Sequence, residues 1–207
     1  MRVVLALDDF SVINNRLDLL LRLKNKFPSF KVSLFTVPED IKTDWGPYQI
    51  RKEILKEIKE NLDWMQLIPH GLSHDGYEMK RCDYSAFKRD ILPRVKQAFD
   101  RDDLPFVKGF KAPHYYWTEG VIKVLDEEGW WGGVDRDKFM PIPAQFYRYS
   151  YRINEPFLES EAELLKLNGH VYGTENDLGK CIDSLLKLPL DTEWHFCTDF
   201  IERKIYG

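Results

Sequence analysis

Short apolar runs alternate along the chain with stretches in which apolar residues recur every three or four positions. The runs predict β-strands, because a strand buried on both faces reads as a continuous apolar segment; they cover residues 2–7, 31–37, 64–68, 107–110, 130–134, 164–171 and 194–197. The stretches between them predict α-helices, and the clearest stripe consists of Ile50, Ile54, Leu55, Ile58 and Leu62. Such alternation is typical of parallel strands joined by right-handed crossovers.

About seven strand–helix units within 207 residues predict one α/β domain that spans residues 1–207. We see no linker, internal repeat or low-complexity segment that would divide it. The alternation alone fits either an open doubly wound sheet or a small barrel. Two segments depart from the pattern. Pro93 is expected to break or kink the helix that it interrupts, and residues 138–156, rich in proline and aromatic residues, are expected to form an irregular excursion.

The composition of the chain argues against several classes of function. A net charge of −4 gives no basic footprint, so we expect no nucleic-acid partner. The three cysteines are odd in number and widely spaced, which is typical of free thiols in an intracellular protein. The apolar run before the first acidic residues is too short for a signal peptide, and no segment is long enough to span a membrane. We therefore expect a cytoplasmic protein.

The polar residues that stand out follow the predicted strands directly. Asp8 and Asp9 follow the first strand, and His70 and His74 follow the third. Lys111 and His114 follow the fourth strand, Asp135 follows the fifth, and His170 lies at the end of the sixth. Because the carboxyl ends of parallel strands share one face of an α/β fold, and active sites are built on that face, we expect these side chains to converge.

Two adjacent carboxylates and two histidines four residues apart suit a metal-assisted reaction. Like charges as close as those of Asp8 and Asp9 repel unless a cation or a proton lies between them. His70 and His74 can point the same way from one helical turn, and with one carboxylate they form a His/His/Asp set. This set is typical of Zn²⁺, with Co²⁺, Mn²⁺ and Ni²⁺ as alternatives. In the other interpretation His70 only ends the strand and His74 is a solvated loop residue.

Four short motifs together resemble those of the polysaccharide deacetylases, the NodB-homology group of carbohydrate esterases. The segment Ala6–Phe10 resembles that group's Thr-Phe-Asp-Asp-Gly motif, and His70–His74 resembles its His-(Ser/Thr)-x-x-His motif. The segment Phe110–His114 is similar to the Arg-x-Pro-(Tyr/Trp) motif, and Leu167–His170 is similar to the Leu-x-His motif. The four segments occur in the family's order and spacing, so their joint occurrence is far more specific than any one of them.

The resemblance implies a single-domain, distorted (β/α) barrel of about seven strands. It also implies a metal-dependent hydrolase that removes acetyl groups, above all N-acetyl groups, from a sugar or glycan. The acetylated sugar is then the expected partner, and a divalent metal ion, above all zinc, is the expected cofactor. The metal ligands carried over from the family are Asp9, His70 and His74.

The same resemblance implies roles for the other rim residues. Asp8 would act as the general base and His170 as the general acid. The backbone N–H of His114 would belong to the oxyanion site. Asp135 is expected to be the acid that orients a catalytic histidine, with Asp137 as an equal candidate.

The chain departs from the family's motifs at several positions. Phe10 replaces a glycine, Gly71 replaces a serine or threonine, and His114 replaces an aromatic residue. Lys111 stands where an arginine pairs with the general base; lysine keeps the charge but loses the bidentate fork. Two other functions therefore stay open. One is a hydrolase of the same barrel that acts on a cyclic or other non-carbohydrate amide, and the other is a non-catalytic, carbohydrate-binding relative.

Overall fold

The fold consists of strands and helices that alternate along most of the chain. The computed structural model describes residues 1–39, 48–75, 77–80, 82–137 and 141–204. The strands are β1 (Arg2–Phe10), β2 (Val32–Thr36), β3 (Met65–Pro69), β4 (Gly109–Phe110), β5 (Trp131–Val134), β6 (Gln145–Arg148), β7 (Tyr151–Arg152), β8 (Leu164–His170), β9 (Glu193–His195) and β10 (Glu202–Arg203). The helices are α1 (Leu17–Lys26), α2 (Tyr48–Lys59), α3 (Tyr84–Ala86), α4 (Leu92–Asp102), α5 (Glu119–Glu128) and α6 (Leu178–Leu185). Each of the seven predicted strands has a counterpart.

The strands form two sheets whose edges meet. The larger sheet has the order β3-β2-β1-β8-β7, with β9 paired to the first residues of β1, and the smaller has the order β10-β6-β5-β4. The ladders are parallel except that of β10 with β6. Backbone hydrogen bonds join the sheets, from Lys111 to Pro69 (3.0 Å) and from Ser150 to Lys166 (2.7 Å). The distorted (β/α) barrel is therefore confirmed.

Residues 141–156 are more regular than the sequence predicts. They contain β6 and β7, and β6 pairs in parallel with β5. Phe146 and Tyr147 of β6 are buried, so the aromatic residues of this segment belong to the core rather than to an exposed loop. The prediction of an irregular excursion is wrong here, because strands of two and four residues are too short to show a periodic pattern. Residues 138–140 of that prediction lie outside the described residues.

The predicted break near Pro93 takes the form of a π-helical turn. The turn covers Phe87–Ile91 and connects α3 to α4 without a gap. Pro93 lies in the first turn of α4, where a missing N–H is tolerated. The wider turn before it accommodates the proline ring within a continuous helical stretch. None of the helices in the described ranges is long and apolar enough to span a membrane.

Strand β1 is buried on both faces, which explains its continuous apolar run. Val3, Leu5 and Leu7 belong to the core cluster that includes the buried faces of α1 and α6. Val4 and Ala6 belong to a cluster of strand residues inside the barrel. The strand thus lies between two packed layers, and its carboxyl end is fixed by both of them.

We expect Leu5→Ala to lower the free energy of unfolding by about 2–5 kcal/mol, because it removes a fully buried side chain and leaves a cavity. Leu190→Ala is the control, since Leu190 is 71% exposed and should change stability by less than about 0.5 kcal/mol. Urea denaturation measures both values. Equal midpoints for the two variants would contradict this account of the core.

Candidate active site

The carboxyl ends of the parallel strands bring the acids and histidines to one rim of the barrel. The β1–β8 register places Asp8 directly opposite His170. Oδ1 of Asp9 lies 3.4 Å from Nε2 of His70 and 3.1 Å from Nε2 of His74. Residues far apart in sequence therefore form one cluster, as the position of each after a strand predicts.

A β-bulge at the end of β1 separates the two acids. The β1–β2 register runs from Leu7 opposite Leu34 to Phe10 opposite Thr36, so three steps on β1 match two on β2. Asp9 takes a left-handed conformation with φ 62°. Asp8 stays in the ladder with β8, whereas Asp9 turns towards the two histidines. The separation depends on this bulge and not on simple strand alternation.

Asp9, His70 and His74 fit a metal ion. Oδ1 of Asp9 is buried and has no partner in hydrogen-bonding geometry, although two ring nitrogens lie near it. Two ligand atoms that are each about 2.0–2.1 Å from a tetrahedral ion lie about 3.3 Å apart, close to both observed distances. Nδ1 of His70 lies 2.9 Å from the carbonyl oxygen of Lys111, which accepts its hydrogen and leaves Nε2 for the ion. The donor set suits zinc.

Burial and mutual charge set the protonation states of these groups. Burial alone would raise the pKa of Asp9, but His70, His74 and His170 hold that pKa well below its usual range. Burial and the charge of His70 lower the pKa of His74 to about 4. Burial would also lower the pKa of His70, but Asp9 and Asp8 raise it above its usual value. Asp9 and His74 are thus ready to bind a cation at neutral pH.

The loop between the two histidines is held by Glu78, a residue that lies outside the four motifs. Its carboxylate accepts hydrogen bonds from the N–H of Leu72, the N–H of Ser73 (3.0 Å) and the hydroxyl of Ser73 (3.2 Å). Gly71 has a φ of +68°, and a Cβ there would lie 2.4 Å from Cγ of Pro113. The loop therefore has no room for the serine or threonine of the family's motif. No spacing rule connects Glu78 to the motif, so the sequence gives no signal for it.

Asp8 and Lys111 form a buried ion pair. Nζ of Lys111 lies 2.8 and 2.6 Å from the two carboxylate oxygens of Asp8, and both side chains are 2% exposed. The rings of Phe35, Tyr115 and Tyr149 surround the ammonium group, with centroids 4.9, 4.9 and 5.6 Å from Nζ. The carboxylate and the ring faces together compensate the charge that burial removes from water. One lysine nitrogen thus contacts both oxygens, where an arginine would use two.

His114 lies beside His74, and His170 lies beside Asp8. His114 is exposed, has a φ of 52°, and its ring centroid is 4.7 Å from that of His74. Nε2 of His170 lies 3.8 Å from Oδ2 of Asp8. The base expected from the resemblance is therefore close to the expected acid.

The contact that orients His170 comes from a different residue than the resemblance implies. Asp135 lines a cavity of about 250 Å³ beside the ring, but its Oδ1 accepts the backbone N–H of Asp137 at 2.8 Å. The side chain of Asp137 pairs with Arg136 at 2.7 Å. Nδ1 of His170 instead hydrogen-bonds Oδ1 of Asn176 at 2.9 Å. The loop after β8, rather than the residues after β5, provides this partner.

Solved structures provide an independent test of the architecture. A family 4 acetyl xylan esterase from Clostridium thermocellum, in complex with a cobalt ion, matches with a TM-score of 0.57 and 13% identity over 96% of this chain and 89% of that one. The chitin deacetylase from the fungal pathogen Colletotrichum lindemuthianum matches with a TM-score of 0.61 and 14% identity over 96% of this chain and 86% of that one. The chain has the fold of the family 4 carbohydrate esterases.

That fold is shared by active and inactive proteins. A family 4 pseudoenzyme from Bacillus anthracis matches with a TM-score of 0.61 and 14% identity, over 96% of this chain and 64% of that one. No family model and no curated protein matches the sequence. At sequence identities this low, the matches show a shared fold and nothing more. Any conclusion about activity must therefore come from the side chains at the rim.

We expect Lys111→Met to lower the free energy of unfolding by about 3–5 kcal/mol, because it leaves the carboxylate of Asp8 buried without a partner. Adding Asp8→Asn to it should recover part of that loss. Lys56→Met is the control, since its pair with Glu60 lies at the surface and is worth at most about 1 kcal/mol. Chemical denaturation of the wild type, Lys111→Met, Asp8→Asn and the double variant measures the coupling, and additive losses would argue against a buried ion pair.

Proposed function

We propose that the protein is a metal-dependent hydrolase that removes acetyl groups, chiefly N-acetyl groups, from a sugar or glycan. The observation that carries the proposal is the meeting of three parts at one rim: a His/His/Asp set, a buried Asp8–Lys111 pair and His170. Zinc is the ion that the donor set favours, with Co²⁺, Mn²⁺ and Ni²⁺ as alternatives. When bound, such an ion acts as a Lewis acid and lowers the pKa of water towards about 7.

The chain's own side chains account for the proton transfers. Asp8 is placed to take a proton from the attacking water, and Lys111 fixes the direction of its carboxylate. As the water oxygen bonds to the acetyl carbon, the N–H of His114 would donate to the oxyanion. His170 then gives a proton to the leaving nitrogen as the C–N bond breaks, which yields acetate and a free amine.

The geometry favours catalysis over carbohydrate binding alone. Burying a carboxylate together with a lysine removes two charges from water, which costs several kcal/mol. A protein that only binds carbohydrate gains nothing from that cost. Asp8 and Lys111 nonetheless form that pair directly beside the metal set and the ring of His170. The arrangement supports an active enzyme in which the proton carriers have been kept.

We expect the purified protein to contain about one divalent ion per chain, because three ligand atoms converge on one point. His70→Ala should lose the ion. His195→Ala is the matched control, since His195 pairs at the opposite end of β1 and should keep the metal content of the wild type. Elemental analysis by mass spectrometry measures all three proteins. Equal metal content in His70→Ala and the wild type would refute the site.

We expect substitutions of the two acids at the end of β1 to have different effects on metal content and turnover. Asp9→Asn should lose both metal and turnover. Asp8→Asn should keep the metal and lower acetate release by roughly 10²–10⁴-fold, the usual contribution of a general base. Acetate release from N-acetylated sugar oligomers and from acetylated xylan measures turnover.

Two outcomes would change the proposal. If metal-loaded Asp8→Asn kept full turnover, Asp8 could not be the general base. Ring opening of a cyclic ureide without acetate release from any sugar would show instead a hydrolase of the same barrel that acts on a non-carbohydrate amide.

A further inference from the structure

The imidazole of His170 has a neutral partner where the resemblance implies an acid. Nδ1 of His170 lies 2.9 Å from Oδ1 of Asn176, and the hydroxyl of Thr174 donates to the same oxygen at 2.7 Å. An amide oxygen only accepts, so Nδ1 carries a hydrogen. Nε2, which lies 3.8 Å from Oδ2 of Asp8, is then the ring position that takes up or releases a proton.

A backbone hydrogen bond holds Asn176 in place independently of its side chain. The N–H of His170 donates to the carbonyl oxygen of Asn176 at 3.0 Å. Gly169 permits this approach, because a Cβ there would lie 2.9 Å from that oxygen. The next residue, Asp177, caps α6 by accepting a hydrogen bond from the N–H of Lys180 at 2.8 Å. Asn176 is only 7% exposed, and its amide oxygen is held by His170 and Thr174.

The charges around His170 come from other elements of the barrel. Asp8 on β1 faces Nε2 and is itself paired with Lys111. The other charged groups near the ring are Asp9, Asp135, Arg152 and Glu175. Asn176 adds no charge to this set. Its contact orients the ring and selects a tautomer without favouring the imidazolium form, as a carboxylate in the same place would.

We infer that Asn176 is the positioning residue of His170, and that it holds the Nδ1–H tautomer through a neutral contact. The inference rests on the proposed function and deepens it. With this partner, the proton that reaches the leaving group is always the one on Nε2. The ring returns to its neutral form without a carboxylate on Nδ1 to retain that proton.

The first test reads the tautomer directly. Long-range ¹H–¹⁵N spectra of the full chain distinguish a ring nitrogen that carries hydrogen from one that does not, and His170→Gln identifies the signals of His170 among five histidines. At a pH where the ring is neutral, the wild type should show hydrogen on Nδ1, and Asn176→Ala should show a mixture of both tautomers. Asn25→Ala, the same substitution at an exposed position of α1, should leave the spectrum of His170 unchanged.

The second test is kinetic. Asn176→Ala should lower kcat for acetate release by roughly 10- to 100-fold, the usual loss when a hydrogen bond that orients a functional histidine is removed, with KM little changed. Asn176→Asp should restore most of kcat and move the alkaline limb of the pH–rate profile to higher pH, because a carboxylate favours the protonated ring. An unchanged kcat in Asn176→Ala, or an unchanged profile in Asn176→Asp, would overturn the inference. Near-identical shape makes Asn176→Asp the variant that should fold even if Asn176→Ala does not.

The two tests separate this inference from the proposed function. If no acetylated sugar is hydrolysed but the wild type carries hydrogen on Nδ1 and Asn176→Ala loses that preference, then Asn176 positions His170 and the deacetylase proposal fails. If acetate is released but the wild-type ring carries its hydrogen on Nε2, then only the inference about Asn176 fails.

Discussion

The carboxylate of Asp8 is buried near the end of a strand and therefore requires a cation, which Lys111 supplies. Removing both charges from water costs several kcal/mol per ion, so the pair is stable only with close contacts and further compensation. Lys111 provides the contacts through Nζ, and the aromatic rings around it provide the compensation. Because Asp8 lies near the end of β1 in the larger sheet and Lys111 follows β4 of the smaller one, the pair also joins the two sheets at the rim.

Lys111 connects the expected base to the expected metal set through two different atoms. Its ammonium group fixes Asp8, while its carbonyl oxygen accepts the Nδ1 hydrogen of His70 and directs Nε2 towards Asp9. A shift of this one residue would therefore disturb both halves of the site. This dual role explains why lysine in place of arginine is compatible with an ordered rim, since the backbone contact does not depend on the side-chain type.

The strands and the motif residues could be predicted because their signals are local. Apolar runs such as that of β1 reflect burial on both faces, and the acids and histidines stand directly after such runs. The fold class and the candidate metal residues follow from these two patterns together with the order of the motifs. Segments with two to four paired residues, such as β6 and β7, carry no such pattern, and their strand character becomes visible only through the neighbours that they pair with.

The contacts that orient the site escaped prediction because they depend on loops folding back. Asn176 and Asp177 read together as residues that precede a helix, and Asp177 does cap α6. Asn176 instead turns to His170, a contact that requires a glycine at position 169 and the path of the loop after β8. Glu78 likewise holds the loop between the histidines without belonging to any motif. In each case the residue type is ordinary, and only its three-dimensional position gives it a role.

Backbone strain marks the same rim independently of any side-chain assignment. Six described residues other than glycine have positive φ, and four of them lie at this rim: Asp9, His74, His114 and Tyr115. Such conformations cost of order 1–3 kcal/mol each and persist only where the surrounding structure over-determines them. Here the β-bulge, the Glu78 contacts and the packing of Tyr115 against Lys111 do so. A rim that served only to close the barrel would not need these conformations. Four of them lie at or beside Asp9, His70 and His74. We therefore conclude that the required positions of the side chains, rather than the stability of the loops, determined the local backbone.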